Sequence, residues 1–375
     1  MRNVKRHTLL IAIAAALVFA GTYSLIRLQH AGKADGVKTV SNPFRLNKIY
    51  RSMEGPWSLQ NKIHLAPGKK SPLQWVTGLE TEVVDAAKQT PISQEFFCHS
   101  NLTLNEAPAR YNQRFGGRTH FDSRLFTLVP GRLSIELPQG FGIPIPADAA
   151  LDYFTMSLNL NVTNEVVNVR LRTKVHTIAA DQAGAPTKAL FRRALYVLQP
   201  QWETADMPSV RMPATLRHHV GAGCADAQFC KVNLSAVSTV GKLGKGQTLH
   251  WLVPPGHHIY RTEITPQLNL PFDTTIHYAT IHVHPFARGM ELRDLSTGAI
   301  ILRFNSQDWR DRLGVAHVDE FKSIEGIPIF RDHRYELTAE YDNTSESKTD
   351  AMAILYLYLL EKDLADHLIA AWADI

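Results

Sequence analysis

Residues 274–289, TTIHYATIHVHPFARG, hold three histidines within eight positions: His277, His282 and His284. Because side chains on a β-strand alternate between its faces, His282 and His284 point the same way, about 7 Å apart along the strand. That spacing allows two imidazoles to bind one metal ion, or leaves them as two solvated or hydrogen-bonded side chains. His277 has the opposite parity, so we expect it to be a bystander or a residue that orients a ligand.

A later apolar strand offers a third ligand. In DAMAILYLYLL, residues 350–360, Met352 shares one strand face with Ile354 and Tyr356. Its simplest role is core packing, since thioether side chains fill irregular gaps in apolar cores. Imidazole together with thioether is nevertheless a ligand set that suits copper, because the soft sulfur favours the cuprous state.

Two further polar groups could carry chemistry. His317 and Asp319 fall on one face of AHVDEF (316–321) if that segment is a strand, where they would orient a ligand imidazole or form a surface pair. Cys224 and Cys230 lie close together in GAGCADAQFC, and their spacing predicts a disulfide in an oxidising compartment. Cys98 is then left as a buried thiol or a ligand.

The N-terminus predicts export. MRNVKR carries three positive charges, and Thr8–Ile26 runs for 19 residues without a charge. This run is long enough to span a bilayer, and the preceding positive charges would leave the rest of the chain outside the cytoplasm. We therefore predict a periplasmic or extracytoplasmic protein anchored to the inner membrane by residues 8–26; cleavage after Ala20 is the alternative.

Composition predicts a folded chain with no nucleic-acid partner. Of its 375 residues, 45% are hydrophobic, and the 40 basic residues exceed the 35 acidic ones by a net charge of only +5. The basic residues are scattered rather than clustered, which argues against nucleic-acid binding.

The elements that must position these residues are predicted to be β-strands. Short runs rich in branched and aromatic residues alternate with turns, as in residues 73–86, 166–180, 274–286 and 334–343. Many short strands with frequent turn signals are typical of β-sandwiches and jelly rolls. The predicted fold class is all-β, with two tandem jelly-roll-like β-sandwiches.

The predicted parts are an anchor or signal peptide (1–27), a tether (28–45), an N-terminal sandwich (46–190), a C-terminal sandwich (191–360) and an amphipathic helix (361–375).

Three segments resemble the C-terminal domain of the copper type II, ascorbate-dependent monooxygenases, the family of peptidylglycine α-hydroxylating monooxygenase and dopamine β-monooxygenase. They are HWLVPPGHHIYRTEIT, HYATIHVHPFARGMELRD and DAMAILYLYL, within residues 245–360. The resemblance implies two jelly-roll domains and a copper that binds oxygen, held by His282, His284 and Met352. His284 and Met352 are 68 residues apart, as the family pattern requires, and Tyr356 matches the tyrosine four residues after the methionine. Tyr356 is therefore the candidate catalytic residue.

The N-terminal half departs from the same family. Its electron-delivering copper uses an adjacent His-His pair and a later histidine, where this chain has Cys98-His99 and Asn159. These three residues would form a degenerate second metal site. The arginine and asparagine that hold a substrate carboxylate in the amidating branch are replaced by Thr280 and Ile354, so a peptidylglycine substrate is not expected.

Three functions remain open from the sequence. The first is a copper monooxygenase that hydroxylates an organic C–H bond of a small-molecule or peptide substrate, with ascorbate or another reductant as electron donor. The second is a non-catalytic copper carrier of the periplasm. The third is a metal-free interaction module that has kept the double sandwich.

Overall fold

The computed structural model of the chain describes residues 35–50, 55–65, 73–105, 123–146, 149–200, 209–213, 229–233 and 247–362. In this part of the chain β-strands dominate and form β-sandwiches, so the predicted all-β class is confirmed. The predicted anchor (1–27), Cys224 and residues 363–375 of the predicted C-terminal helix lie outside the described residues. The predicted disulfide stays a prediction.

The described residues up to 233 form fourteen strands. They are β1 (Asp35–Val40), β2 (Phe44–Leu46), β3 (Trp57–His64), β4 (Leu73–Asp85), β5 (Phe97–Leu104), β6 (Arg124–Leu128), β7 (Ser134–Glu136), β8 (Phe141–Pro146), β9 (Ala150–Ser157), β10 (Val167–Ala179), β11 (Lys188–Tyr196), β12 (Gln199–Pro200), β13 (Ser209–Pro213) and β14 (Phe229–Asn233). A short 3₁₀ turn, Gln94–Phe96, leads into β5.

The C-terminal half contributes eleven strands and one helical turn. They are β15 (Gln247–Thr248), β16 (Trp251–Val253), β17 (Gly256–Glu263), α1 (Thr265–Leu268), β18 (Thr274–Val283), β19 (Ala287–Asp294), β20 (Ile300–Asp308), β21 (Val315–Val318), β22 (Glu320–Ile329), β23 (Tyr335–Asn343), β24 (Thr349–Ala351) and β25 (Ala353–Glu361).

One ten-stranded sheet runs through both halves. Its order is β1-β10-β4-β8-β11-β25-β18-β22, with β2 paired to β10 and β7 paired to β4. A four-stranded sheet, β3-β9-β5-β6, packs on its N-terminal part, where Tyr153 of β9 reaches Thr81 of β4. A five-stranded sheet, β17-β23-β19-β20-β21, completes the C-terminal half. The shared sheet fixes the two halves to each other.

Burial patterns explain where the strands lie. β10 alternates between buried and partly exposed positions, as expected for a strand with one face in the core. β17 alternates between exposed and partly exposed positions, as expected at the rim of its sheet. Nearly every residue of β25 is buried, because this strand lies in the middle of the large sheet with protein on both faces.

The tyrosine face of β25 contacts β6 of the N-terminal half. The Tyr358 hydroxyl donates a hydrogen bond of 3.0 Å to the Leu125 carbonyl, and the rings of Tyr358 and Phe126 lie 5.5 Å apart. Arg192 of β11 donates a bond of 3.0 Å to the Thr127 hydroxyl from the same face. This face is therefore an interior contact between the two halves.

Two predicted boundaries differ from the structure. Residues 35–40 and 44–46, which the sequence assigns to a polar tether, are β1 and β2, and both pair with β10. Hydrogen bonding to β10 holds this polar segment in regular strands, which its composition alone does not predict. The predicted domain boundary at residue 190 lies inside β11, which pairs with both β8 and β25. In the described part of the chain, no helix has the length and hydropathy needed to cross a bilayer.

We predict that Tyr358→Phe lowers the free energy of unfolding by about 1–2 kcal/mol, because it leaves the buried Leu125 carbonyl without this donor. Chemical denaturation followed by fluorescence measures the change. Tyr50→Phe is the matched control, since it removes an exposed bond to Asn47 and should change stability by less than about 0.5 kcal/mol. Equal effects of both variants would contradict the assignment of Tyr358 as a link between the halves.

Candidate metal centre

The register between β18 and β25 places the candidate ligands. His282 lies opposite Ile354, and Thr280 lies opposite Tyr356. Directly opposed residues of antiparallel strands share a face, so His282 lies on the tyrosine face of β25. Met352 directly precedes β25, which begins at Ala353. The site thus faces the N-terminal half of the molecule.

His282 and His284 lie side by side. Their ring centroids are 5.3 Å apart, and their exposed fractions are 9% and 6%. The Nδ1 atom of His282 is buried and has no hydrogen-bond partner among the described residues. Burial lowers the pKa of His282 well below its ordinary value, and the nearby imidazoles of His284 and His99 lower it further. His282 is therefore a neutral imidazole at physiological pH, the form that binds metals.

Met352 lies between β24 and β25 and is buried, with an exposed fraction of 7%. Its carbonyl accepts a hydrogen bond of 2.7 Å from the hydroxyl of Tyr341 in β23. The backbone of His284 also lies within hydrogen-bonding reach of this buried hydroxyl. Tyr341 therefore fixes the methionine segment beside the histidine segment. The role of Met352 as a ligand stays a prediction.

The structure adds two residues that the sequence interpretation did not include. His250, Asp350 and His284 each offer a ligand atom, and these atoms lie within 4.8 Å of one another. His284 Nδ1 is 2.9 Å from Asp350 Oδ2, and His250 Nδ1 is 3.6 Å from Asp350 Oδ1. The sequence held a signal for one of them: Asp350 precedes Met352 by two residues and so shares its parity.

The Asp350 carboxylate is held ionised by its neighbours. Burial alone would raise its pKa, but the imidazoles of His284 and His250 outweigh that effect and hold it below the usual range. Burial lowers the pKa of His250, while Asp350 opposes the shift. The cluster therefore joins one carboxylate to imidazole groups in a site from which water is largely excluded.

A tight turn ends the histidine strand. Phe286 has a φ of 72°, in the left-handed region that non-glycine residues seldom adopt. Its backbone N–H donates a bond of 2.7 Å to Asp308 Oδ2, and its carbonyl accepts one of 2.9 Å from Asp342. Burial raises the pKa of Asp308 to about 6, although the bond from Phe286 and the charge of Arg288 oppose this. The turn that positions His284 is thus fixed from two strands.

Cys98 and His99 lie in β5, across from the histidine strand. The pairing of β5 with β9 shifts register between Phe97 and His99, so Cys98 lies at a bulge. Cys98 Sγ is 3.2 Å from His99 Nδ1, and Cys98 is buried. His99 of the N-terminal half is near enough to His282 to contribute to the lowering of its pKa.

Asn159, the third residue of the predicted degenerate site, has a structural role. Its amide donates to the carbonyls of Lys48 and Val162, at 2.9 and 2.8 Å. Its side-chain oxygen accepts from the backbone N–H groups of Asn161 and Val162, at 3.2 and 2.9 Å. These four bonds close the loop after β9 and occupy the groups that a metal ligand would need.

The candidate catalytic residue, Tyr356, is buried beneath Arg192. The guanidinium carbon lies 4.5 Å from the centroid of the tyrosine ring. Burial raises the pKa of Tyr356 to about 12, although the charge of Arg192 opposes the shift. Tyr356 therefore stays protonated at physiological pH. Thr280, opposite Tyr356, donates to the Asp319 carbonyl at 3.0 Å.

The other predicted polar residues have local partners. His277 lies at a β-bulge, with Nε2 2.7 Å from Thr275 Oγ1 and Nδ1 3.1 Å from the Ser323 carbonyl. His317 and Asp319 are 3.3 Å apart at their nearest atoms, and both are partly exposed. These contacts favour a local structural role for His277 and a surface ion pair for His317 and Asp319.

Comparisons with known proteins give likenesses of fold only. No family model matches the chain, and no curated protein does. Solved structures that match include the major capsid protein P2 of bacteriophage PM2, at 9% identity and a TM-score of 0.29, covering 86% of this chain and 97% of that one. The major capsid protein of STIV matches at 7% identity and a TM-score of 0.32, covering 90% and 99% of the two chains. A peptide-N(4)-(N-acetyl-β-D-glucosaminyl) asparagine amidase matches at 9% identity and a TM-score of 0.32, covering 88% and 97%. Identities and scores this low carry no information on function.

We predict that Asp308→Asn stabilises the protein at neutral pH, because the amide oxygen still accepts from Phe286 while no buried charge remains. The folded-state pKa of Asp308, about 6, lies above the ordinary value of 3.8. Below about pH 4 the Asp308 carboxyl is protonated in both the folded and the unfolded state, and its burial as a neutral group does not destabilise the fold. As the pH rises to about 6, the unfolded state loses this proton more readily than the folded state, so wild type loses stability. The advantage of the variant should grow over this window to at most about 3 kcal/mol.

Denaturation curves at pH 4, 5, 6 and 7 measure this advantage. Asp181→Asn, which neutralises an exposed carboxylate, should show no such trend. A stability difference between Asp308→Asn and wild type that does not vary with pH would contradict the burial of the Asp308 charge.

Proposed function

We propose that this chain is an exported copper protein that binds one copper ion through His282, His284 and Met352 and hydroxylates a C–H bond of an organic substrate. The observation that supports the proposal is the buried Nδ1 atom of His282, which has no hydrogen-bond partner among the described residues and lies beside His284. A buried polar atom of this kind is unfavourable unless a ligand or ion satisfies it.

The residues fit copper in their chemistry. His282 is neutral because burial lowers its pKa, and Met352, which is buried next to β25, would supply a thioether. Two imidazoles and a thioether suit both oxidation states of copper, with the sulfur favouring the cuprous one. When bound, copper would supply the redox chemistry that reduces dioxygen with electrons from ascorbate or another reductant.

The protein residues would hold the site and exclude water. Tyr341 fixes the backbone of Met352, and the turn at Phe286 fixes the end of the histidine strand. Tyr356 lies on the same face as His282 and remains protonated, so its hydroxyl would orient a substrate through a hydrogen bond. The side chains on this face are buried against the N-terminal half, which would keep bulk water from the reacting groups.

One observation favours copper carriage as a second candidate function. The four bonds of Asn159 leave Cys98 and His99 as the remaining residues of the predicted N-terminal site. An enzyme that receives electrons through a second copper would need more ligands there. A carrier would need the C-terminal site alone.

The first test is copper binding by the purified full-length protein. We expect one copper ion per chain in wild type and an affinity at least about tenfold lower in Met352→Ile and His282→Asn. Met352→Ile should weaken cuprous binding more than cupric binding, since it removes the soft ligand. His257→Asn is the control, because His257 is exposed and pairs with Glu340 at the rim of the other sheet.

Copper affinity that is equal in wild type and both variants would refute the site. If copper binds as expected, oxygen consumption in the presence of ascorbate separates the two candidates. An enzyme should consume oxygen in a copper-dependent manner that Met352→Ile abolishes, whereas a carrier should not exceed the rate of free copper.

A further inference from the structure

We infer that His250, His284 and Asp350 form a binding site for a divalent transition-metal cation, separate in its ligand set from the proposed copper site. The two sets share His284 alone. The inference does not depend on the proposed function, because neither His282 nor Met352 takes part in it.

Two buried atoms of this cluster lack hydrogen-bond partners. His250 Nδ1 and Asp350 Oδ1 face each other at 3.6 Å, and neither has a hydrogen-bond partner among the described residues. The His250 side chain is 2% exposed and that of Asp350 is 22% exposed. An unprotonated imidazole nitrogen and a carboxylate oxygen left side by side without partners both present lone pairs to the space between them, where a cation would satisfy both.

The distances suit a metal ion. With metal–nitrogen and metal–oxygen bonds of about 2.1 Å, neighbouring ligand atoms are about 3.4 Å apart in a tetrahedral site and about 3.0 Å in an octahedral one. The observed separations are 3.6 Å from His250 to Asp350 and 2.9 Å from His284 to Asp350. The two distances reach different oxygens of Asp350, and one ligand atom from each of the three residues lies within 4.8 Å of the others. Small side-chain movements would therefore bring one atom from each residue onto one ion.

The charges favour a divalent cation over a monovalent one. The cluster brings the carboxylate of Asp350 against the imidazoles of His250 and His284. Two imidazoles and one carboxylate are the ligand set of many zinc and ferrous sites. The carboxylate also distinguishes this set from the thioether-containing one, which prefers cuprous copper.

The backbone around the cluster is fixed. β16 pairs with β24, and Leu252 lies opposite Asp350. The backbone N–H of His250 donates to the Thr248 hydroxyl at 3.2 Å, and the same hydroxyl donates to the His250 carbonyl at 3.0 Å. Asp350 thus lies on β24, His250 directly precedes the paired strand β16, and the rings of His250 and His284 lie 5.6 Å apart. The ligands are held together before any ion arrives.

Zinc and cobalt titration of the full-length protein tests the site. We expect wild type to bind one zinc ion per chain and to give the visible absorption of cobalt in a nitrogen and oxygen environment. Asp350→Asn and His250→Gln should each weaken zinc binding at least about tenfold. Met352→Ile and His282→Asn, with intact ligands for this site, should change zinc affinity by less than about threefold.

Circular dichroism of each variant shows whether it folds. If Asp350→Asn unfolds, the decision passes to His250→Gln and to the zinc-induced rise in the melting temperature of wild type. Zinc binding that is equal in wild type and His250→Gln, or no rise in melting temperature with zinc, would overturn the inference.

The same variants separate this inference from the proposed function. Zinc binding that is lost in Asp350→Asn, together with copper binding unaffected by Met352→Ile, would support the divalent site and refute the copper proposal. Copper binding lost in Met352→Ile, together with zinc binding unaffected by Asp350→Asn, would support the copper proposal and refute the divalent site.

Discussion

The pairing of β18 with β25 is the constraint on which the candidate site depends. These two strands lie side by side inside a sheet that runs through both halves of the molecule. Their register sets His282 opposite Ile354 and so brings the histidine segment beside the methionine segment. A slip of one residue would turn the histidines to the opposite face. The buried side chains of β25 on both faces make such a slip unfavourable.

The burial that fixes this register also places polar side chains in the interior, where removing them from water costs free energy. His250, His282 and His284 are each at least nine-tenths buried. The N-terminal half contributes to this burial, since β6 covers the tyrosine face and His99 lies near His282. A core that required only stability would carry apolar side chains here. The imidazoles and the carboxylate are the groups on which both metal proposals rest.

Local patterns in the sequence predicted much of the fold. Alternation alone predicted strands at 73–86 and 334–343, and the structure has them at Leu73–Asp85 and Tyr335–Asn343. β17 ends at Glu263, because Pro266 favours the helical turn α1. The single sheet through both halves could not be predicted, because it arises from pairing between strands far apart in sequence, such as β11 with β25.

The difference between local sequence patterns and long-range strand pairing also explains which parts of the site could be predicted from the sequence. His282 and His284 are near neighbours in the chain, so parity alone predicts that they converge. His250 lies 100 residues before Asp350, and their proximity follows from the pairing of β16 with β24. Neither residue type is unusual in its local context, so no short motif marks the pair. Asp350 Oδ2 faces His284, and Asp350 Oδ1 faces His250. The same carboxylate therefore contacts the histidine strand, which the sequence identified, and His250, which only the sheet topology brings near. His284 belongs both to the thioether-containing ligand set proposed for copper and to the carboxylate-containing set inferred for a divalent cation. The tertiary structure around His284 therefore decides between the two sets.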